Sequence, residues 1–396
     1  MKRGMDMKKL KVLLLLAASA SALALAGCQK EADTPTEAKV SEAPAGTEGA
    51  AQVSTGEVIK GTAVTQENAE QPQTDPEGMT RSYLTGKLVS SEIGSKRPVA
   101  IMLNNIIDAC PQAGISQADV VYEAPVEGGI TRLMGIFEDY SNLDKIGSVR
   151  SCRNYYVKYA EEFDAIYVHY GQAAYAVDLL NSDEIDNISG LEYQEAMGKI
   201  DGYAGEDIFY RTDDRPSPHN CYTSAEGLKT AIERKEYDTD YAEDYKGHYK
   251  FAQDGQRSDL GIYGAESAVK IIPGYGVNEP WFEYNSGDQK YYRFQYDDKQ
   301  IDQNTDEQLS YDNVIVQFSP WEKYDDNGYI NIDTFSGGTG YFFTGGKVVP
   351  VTWIKDEGTA GAVRYYLPSG DEIVLNQGKT WVCIVLDTDK DSFVYE

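Results

Sequence analysis

Hydrophobic and polar positions along this chain change their period twice. RPVAIMLNN (Arg97 to Asn105) is a short apolar run of strand type, followed by two more, DVVYEAPV (Asp119 to Val126) and TRLMGIFED (Thr131 to Asp139). Glu127, Gly128 and Gly129 between the last two read as a turn. Val149, Cys152, Tyr156, Tyr159 and Phe163 then recur at helical spacing, with Ser148 placed to cap the helix. AIYVHYG (Ala165 to Gly171) is a buried-type strand and AAYAVDLLN a second helix. Thr223-Ser224-Ala225-Glu226 is a capping box opening a third, which runs to about Lys235. Strands alternating with helices predict an α/β layer arrangement.

The stretch from Tyr237 to Tyr263 is acidic and has no clear period. Beyond Ala265 the helical spacing disappears and β-runs follow one another, among them WFEYN, KYYRFQYD, NVIVQFSP, GYFFTGGKVVPVTWI and TWVCIVL. Asp326-Asn327-Gly328 and Ser369-Gly370-Asp371 are hairpin turns. The fold class expected is an α/β (α+β) N-terminal domain followed by a β-rich C-terminal domain, a sandwich or partial barrel.

The N-terminus changes the picture of where the protein works. Lys2, Arg3, Lys8, Lys9 and Lys11 precede the apolar run VLLLLAASASALAL, which is too short for a comfortable membrane span but fits a signal peptide. Leu25-Ala26-Gly27-Cys28 is a lipobox. Acylation of Cys28 would tether the protein to a membrane, each buried CH₂ contributing about 0.8 kcal/mol. From Gln29 to Met79 there is no Phe, Trp or Tyr, so this segment cannot bury enough apolar surface to offset chain entropy. The organisation expected is a signal peptide at 1–27, a disordered acidic tether at 28–80, the α/β domain at 81–236, an acidic linker or insertion at 237–264, and the β-rich domain at 265–396.

The formal net charge of −28 argues against nucleic acid and against adhesion to anionic lipid. Cys110, Cys152, Cys221 and Cys383 form no C-x-x-C pair, and buried free thiols are preferred to disulfides.

RPVAIMLNN, ADVVYEAPVEGGITRLMGIF, IGSVRSCRNYYVKYAEEFDAIYVHYG, FYRTDDRPSPHNCYTS and GKTWVCIV, in this order after a lipobox, resemble the YerB-type lipoproteins. The resemblance covers essentially everything from Arg97 onward. It implies an exported two-domain protein, lipid-anchored on the outer face of a Gram-positive-type membrane. It implies no activity.

The residues carry several candidate sites. Arg150 and Arg153 fall in the expected first helical turn, where positive charge is misplaced unless an anion sits opposite. Guanidinium groups grip phosphate or carboxylate with two parallel hydrogen bonds. Arg132, Arg211, Arg215 and His219 are expected helpers, giving an Arg-lined site for an anionic envelope polymer or lipid headgroup. The alternative is that each arginine pairs with some of the 64 acidic residues. An envelope hydrolase or transferase would use His169 or His219 as acid/base with Glu123 or Glu127. However, residues four apart in a strand are about 13 Å apart, too far for a glycosidase pair. A third reading is an interaction scaffold for an envelope protein partner. No cofactor is expected, and no metal: the histidines lack ligand spacing, and Asp387-Thr388-Asp389-Lys390-Asp391 lacks the glycine of a calcium loop. GYFFTGGK has the wrong spacing for a phosphate-binding loop and reads as a hairpin.

Overall fold

The computed structural model describes residues 75–194, 198–355 and 361–396, so the leader and Cys28 lie outside the described residues. Met79–Arg81 pairs with Leu88–Ser90, so residues 79 and 80, which the composition assigns to the tether, take part in strand pairing.

One sheet of eleven strands runs through both halves of the chain. Its longer strands are β1 (Val99–Asn104), β2 (Val120–Pro125), β3 (Thr131–Phe137), β4 (Ile166–His169), β5 (Asn187–Ser189), β6 (Asn313–Ser319), β7 (Gly338–Thr344), β8 (Lys347–Lys355), β9 (Val363–Tyr366) and β10 (Thr380–Leu386). The order is β8-β7-β6-β10-β2-β3-β1-β4-β5, with β9 and the short piece Glu266–Ser267 on the outer edge of β8. The two halves join where β10 lies parallel between β6 and β2, Val382 opposite both Ile315 and Tyr122. The protein is β-rich, as expected, but the strands assigned to a separate second domain complete the sheet begun by the first. A short period-2 run reports that a strand exists; it carries nothing about which strand it pairs with.

Both faces of this sheet are covered, and alternate residues enter two different cores. Met102, Tyr122, Met134, Tyr167 and Val382 point into one. Leu103, Val121, Leu133, Val168 and Trp381 point into the other. Burial on both faces explains the nearly continuous apolar runs. Helix α1 (Asn154–Glu161) packs Tyr155, Tyr156 and Tyr159 into the first core. Helix α2 (Ala225–Lys235) packs Leu228, Ala231 and Ile232 into the second. Its cap is Ser224, which accepts from the Gly227 amide, and it stops at Glu236 in the left-handed region. AAYAVDLLN holds only a 3₁₀ turn and one turn of α-helix, Val177–Leu180.

A second, six-stranded sheet that includes Trp281–Asn285, Lys290–Gln295 and Ser310–Tyr311 covers the second core beside β2 and β10. Along Lys290–Gln295 alternate residues are buried, and Arg293 occupies one of the inward positions. It meets Glu123 of β2 at 2.5 Å, with neither side chain reached by solvent. Glu123 also accepts from Thr131 Oγ1 at 2.8 Å and Asn278 Nδ2 at 2.9 Å, while the Arg293 guanidinium lies over the rings of Phe282 and Trp381. The second sheet is thus pinned to the first through a buried ion pair.

The 237–264 segment is a packed strap and not a free linker. Asp240 bridges to Lys96 and Phe251 to Leu375. Tyr241 and Tyr245 stack with ring centroids 4.8 Å apart, and Tyr83 meets both edge-on. The four cysteines within the described residues are free.

Burial, reinforced by the neighbouring Asp119, pushes the Glu138 carboxyl up to about 7 from an ordinary 4.5. The unfolded chain releases that proton near 4.5 and the folded chain keeps it, so stability should fall as pH rises from about 4.5 through about 7. In Glu138→Gln the decline should shrink by something on the order of 2 kcal/mol. Urea unfolding at both ends of this range checks it; equal slopes in the two proteins would show that Glu138 does not titrate this way.

Candidate functional site

Helix α1 begins at Asn154, later than the apolar spacing suggested. The residues before it are extended: Ile146–Gly147 pairs with Tyr222 and Thr223, Val149 bridges to Leu103, and Cys152 bridges to Gln172. Ser148 is therefore not the cap, and Arg153 occupies that position with no side-chain cap bond. The extended segment takes the C-terminal half of β1, beyond its pairing with β4, because its own backbone groups find partners there: the Arg150 amide donates to Met102 O, and Arg150 O accepts from the Tyr170 amide.

This geometry brings Arg132, Arg150 and Arg153 together from β3 and the segment before α1. Burial, then Arg153 and Arg150, push Arg132 down to about 10. Arg150 is also lowered, by burial and then by Arg153 and Arg211. Glu127 is the carboxylate present, and it is committed to Arg153: Nε donates to Oε1 at 2.7 Å and Nη2 to Oε2 at 2.5 Å. Burial works against both charges, but this paired contact outweighs it, raising Arg153 and lowering Glu127. Arg132 Nη1 donates to Ser151 O, and its Nε is buried with no partner. Arg150 Nε is likewise buried and unpartnered, and among the described residues the Arg150 side chain has no ion pair. Ser148 Oγ and both amide atoms of Gln172 are buried close by in the chain path without partners. Buried donors are normally satisfied, and a like-charged cluster is costly unless something anionic joins it.

The helpers divide. Arg211 acts on Arg150, donates to Asn220 Oδ1 at 2.9 Å, and lies over the Tyr170 ring at 5.0 Å. His219 is lowered by burial and next by Arg150, so it is neutral near pH 7, with Nδ1 accepting from Asn104 Nδ2 at 2.8 Å. Arg215 is spent on the chain, donating to Ala109 O and Pro111 O, and serves as a brace.

The acid/base candidates do not assemble. Glu123 is enclosed with Arg293, and Glu127 is held by Arg153. His169 is fully buried; Nδ1 donates to Gly171 O at 2.9 Å, Nε2 faces Asn187 Oδ1 at 3.3 Å, and burial lowers it. Burial also holds the Cys152 and Cys221 thiols protonated, at about 12 and about 11, so neither is a ready nucleophile. Among the described residues no cluster of His, Cys, Asp and Glu is arranged to hold a metal.

Two concavities lie nearby, one lined from Asn154 onward and the other by Arg211. A cleft of about 440 Å³ is lined by Asn154, Tyr155 and Lys158 and by the hairpin formed by Trp321–Lys323 and Ile330–Ile332, and Asn154 Nδ2 donates across it to Asn331 Oδ1 at 2.9 Å. That hairpin reaches the arginines: Tyr329 lies under Arg153 at 5.6 Å, and Tyr324 stacks on Tyr175 at 4.0 Å. On the other side a groove of about 560 Å³ runs from Arg211 and Tyr170 towards Leu191 and Tyr193. Sequence reasoning missed Gln172, Tyr170 and Tyr329. Tyr170 stands in the AIYVHYG strand and Gln172 just after it, but a period pattern cannot tell an unpartnered amide from a satisfied one.

Residues 84–238 and 271–382 match the N-terminal and C-terminal domains of a family described as "Protein of unknown function (DUF3048)". The chain is 32% identical over 321 residues to a Bacillus subtilis (strain 168) protein named "Putative lipoprotein YerB", covering 79% of this chain and 88% of that one. The crystal structure of YerB protein from Bacillus subtilis is similar with a TM-score of 0.66 at 29% identity, covering 80% of this chain and 99% of that one.

Proposed function

The chain belongs to this YerB-type family, and on that premise we propose that it is an extracytoplasmic lipoprotein that binds an anionic ligand of the cell envelope. Cys28 carries the lipid, and Arg150, Arg132 and Arg153 receive the anion, with Arg211 and His219 at the margin. A single observation carries the reading: buried guanidinium N–H groups on Arg132 and Arg150 have no partner, in a cluster whose carboxylate is already bonded to Arg153. In a chain of net charge −28, cations left uncompensated are a specific feature and not an excess of basic residues. A phosphate or carboxylate entering there would accept from both arginines, and charge-assisted bonds of this kind are the strong ones.

The anchoring half is tested by fractionation: wild type should sediment with membranes, and Cys28→Ser should be released. Equal partition of the two would remove the lipid from the account. The binding half is tested by calorimetric titration of inorganic phosphate at low salt into the mature chain carrying Cys28→Ser. Saturable heat, weakened by added salt, supports the reading; no heat at millimolar phosphate rejects it.

A further inference from the structure

The groove that begins at Arg211 has a different chemistry from the arginine cluster, and Arg211, which acts on Arg150, belongs to its lining. Tyr170 connects them: its backbone amide donates to Arg150 O, and its ring supports the Arg211 guanidinium. Gly190 keeps this ring against the main chain, since a Cβ there would sit 2.1 Å from Tyr170 Cδ2. Beyond Tyr170 the walls are Tyr193, Tyr203, Phe209 and Tyr210, with Phe209 edge-on to Tyr170 at 5.5 Å. Tyr193 is 61% exposed and Tyr210 40%, large apolar faces presented to solvent in one depression. Glu192 and Glu206 line the same groove, and both act on Tyr203.

We infer that this groove receives a saccharide ring, so that the ligand of the arginine site is a sugar carrying a phosphate or carboxylate. The inference rests on the anion-binding reading and adds the class of ligand to it. Aromatic side chains offer apolar faces with polar tips, which suits a pyranose, whose C–H face is apolar and whose rim is hydroxyl. A site that combines aromatic walls with a few convergent polar groups is a usual form of a small-molecule pocket. The two carboxylates accept hydroxyl hydrogen bonds and repel an anion, while Arg211 and Arg150 attract one. The orientation follows: the charged group lies at the arginines, and the neutral ring lies towards Glu192 and Glu206. A uniformly anionic polymer would meet those carboxylates and is disfavoured along the groove.

The test compares three probes on the mature chain carrying Cys28→Ser: inorganic phosphate, N-acetylglucosamine, and N-acetylglucosamine 1-phosphate, each titrated by calorimetry or by ligand-observed NMR. The sugar phosphate should bind roughly tenfold or more tighter than phosphate. Tyr193→Ala and Tyr210→Ala, both at exposed positions, should abolish this excess. Phosphate that binds while the sugar phosphate gains nothing overturns the groove and leaves the anion site standing. An excess that survives both tyrosine changes also overturns it. Failure of phosphate and sugar phosphate alike overturns the anion site, and the groove inference with it.

Discussion

Arg293→Ala is expected to cost about 3–5 kcal/mol of folding stability, because it strands Glu123 as an uncompensated charge between two sheets. Glu123 sits on β2, near the middle of the eleven-stranded sheet, and faces the second sheet with no solvent contact. Asn105, Thr131 and Asn278 donate to it besides Arg293, so the carboxylate is the hub of a polar network and not one half of an isolated pair. Removing the arginine also removes the body packed on Phe282 and Trp381. A double change to Glu123→Leu and Arg293→Met should recover only part of the loss. An apolar pair is often as stable as a buried ion pair, but here the Thr131 hydroxyl would lose its acceptor, and Asn105 and Asn278 would each lose one of two. The urea midpoint measures both changes. A loss below about 1 kcal/mol in the single variant would mean that water reaches Glu123.

Arg150→Ala should behave in the opposite way, and the contrast separates a ligand site from structural ion pairs. Without ligand, removing Arg150 relieves its repulsion of Arg132, Arg153 and Arg211 and abandons no ion pair among the described residues. Lost packing of its stem offsets part of this, so ligand-free stability should be unchanged or rise by up to about 1 kcal/mol. Phosphate affinity should fall by about 2–5 kcal/mol, roughly thirtyfold at least, since one of the charged donors to a partly desolvated anion is gone. Arg215→Ala supplies the comparison. That arginine braces Ala109 and Pro111, so its loss should destabilise the protein by about 1–3 kcal/mol with little effect on phosphate.

How much of this was legible in the sequence depends on the range of each interaction. Strands β1, β2 and β3, the capped helix α2, the turn at Glu127–Gly129 and the Gly345-Gly346 hairpin are local, and period and turn chemistry found them. The single sheet was not legible, because the pairing of β10 with β2 joins segments far apart in the chain. The start of α1 was misplaced for a physical reason: Val149 and Cys152 are buried, as the helical pattern required, but in extended backbone that pairs with Leu103 and Gln172. Burial fixes which residues are apolar and leaves more than one backbone conformation that can bury them. The arginines were found by the mismatch between their charge and the expected helix start. That helix start was wrong, while the charge itself was informative. Glu123 failed as a candidate acid because its partner, Arg293, lies on the second sheet. An inward arginine at an alternating strand position was the available signal, and it points to a buried carboxylate somewhere opposite.

The most direct test of the central claim is the thermal unfolding of wild type and Arg150→Ala, both in the Cys28→Ser background, with and without phosphate at low ionic strength. Phosphate at 100 times its dissociation constant should stabilise wild type by about 2.7 kcal/mol, a rise of several degrees. This rise should vanish in Arg150→Ala, while the variant without phosphate should melt no earlier than wild type. A wild type indifferent to phosphate, with a variant that melts early, would contradict it and make Arg150 an ordinary structural residue.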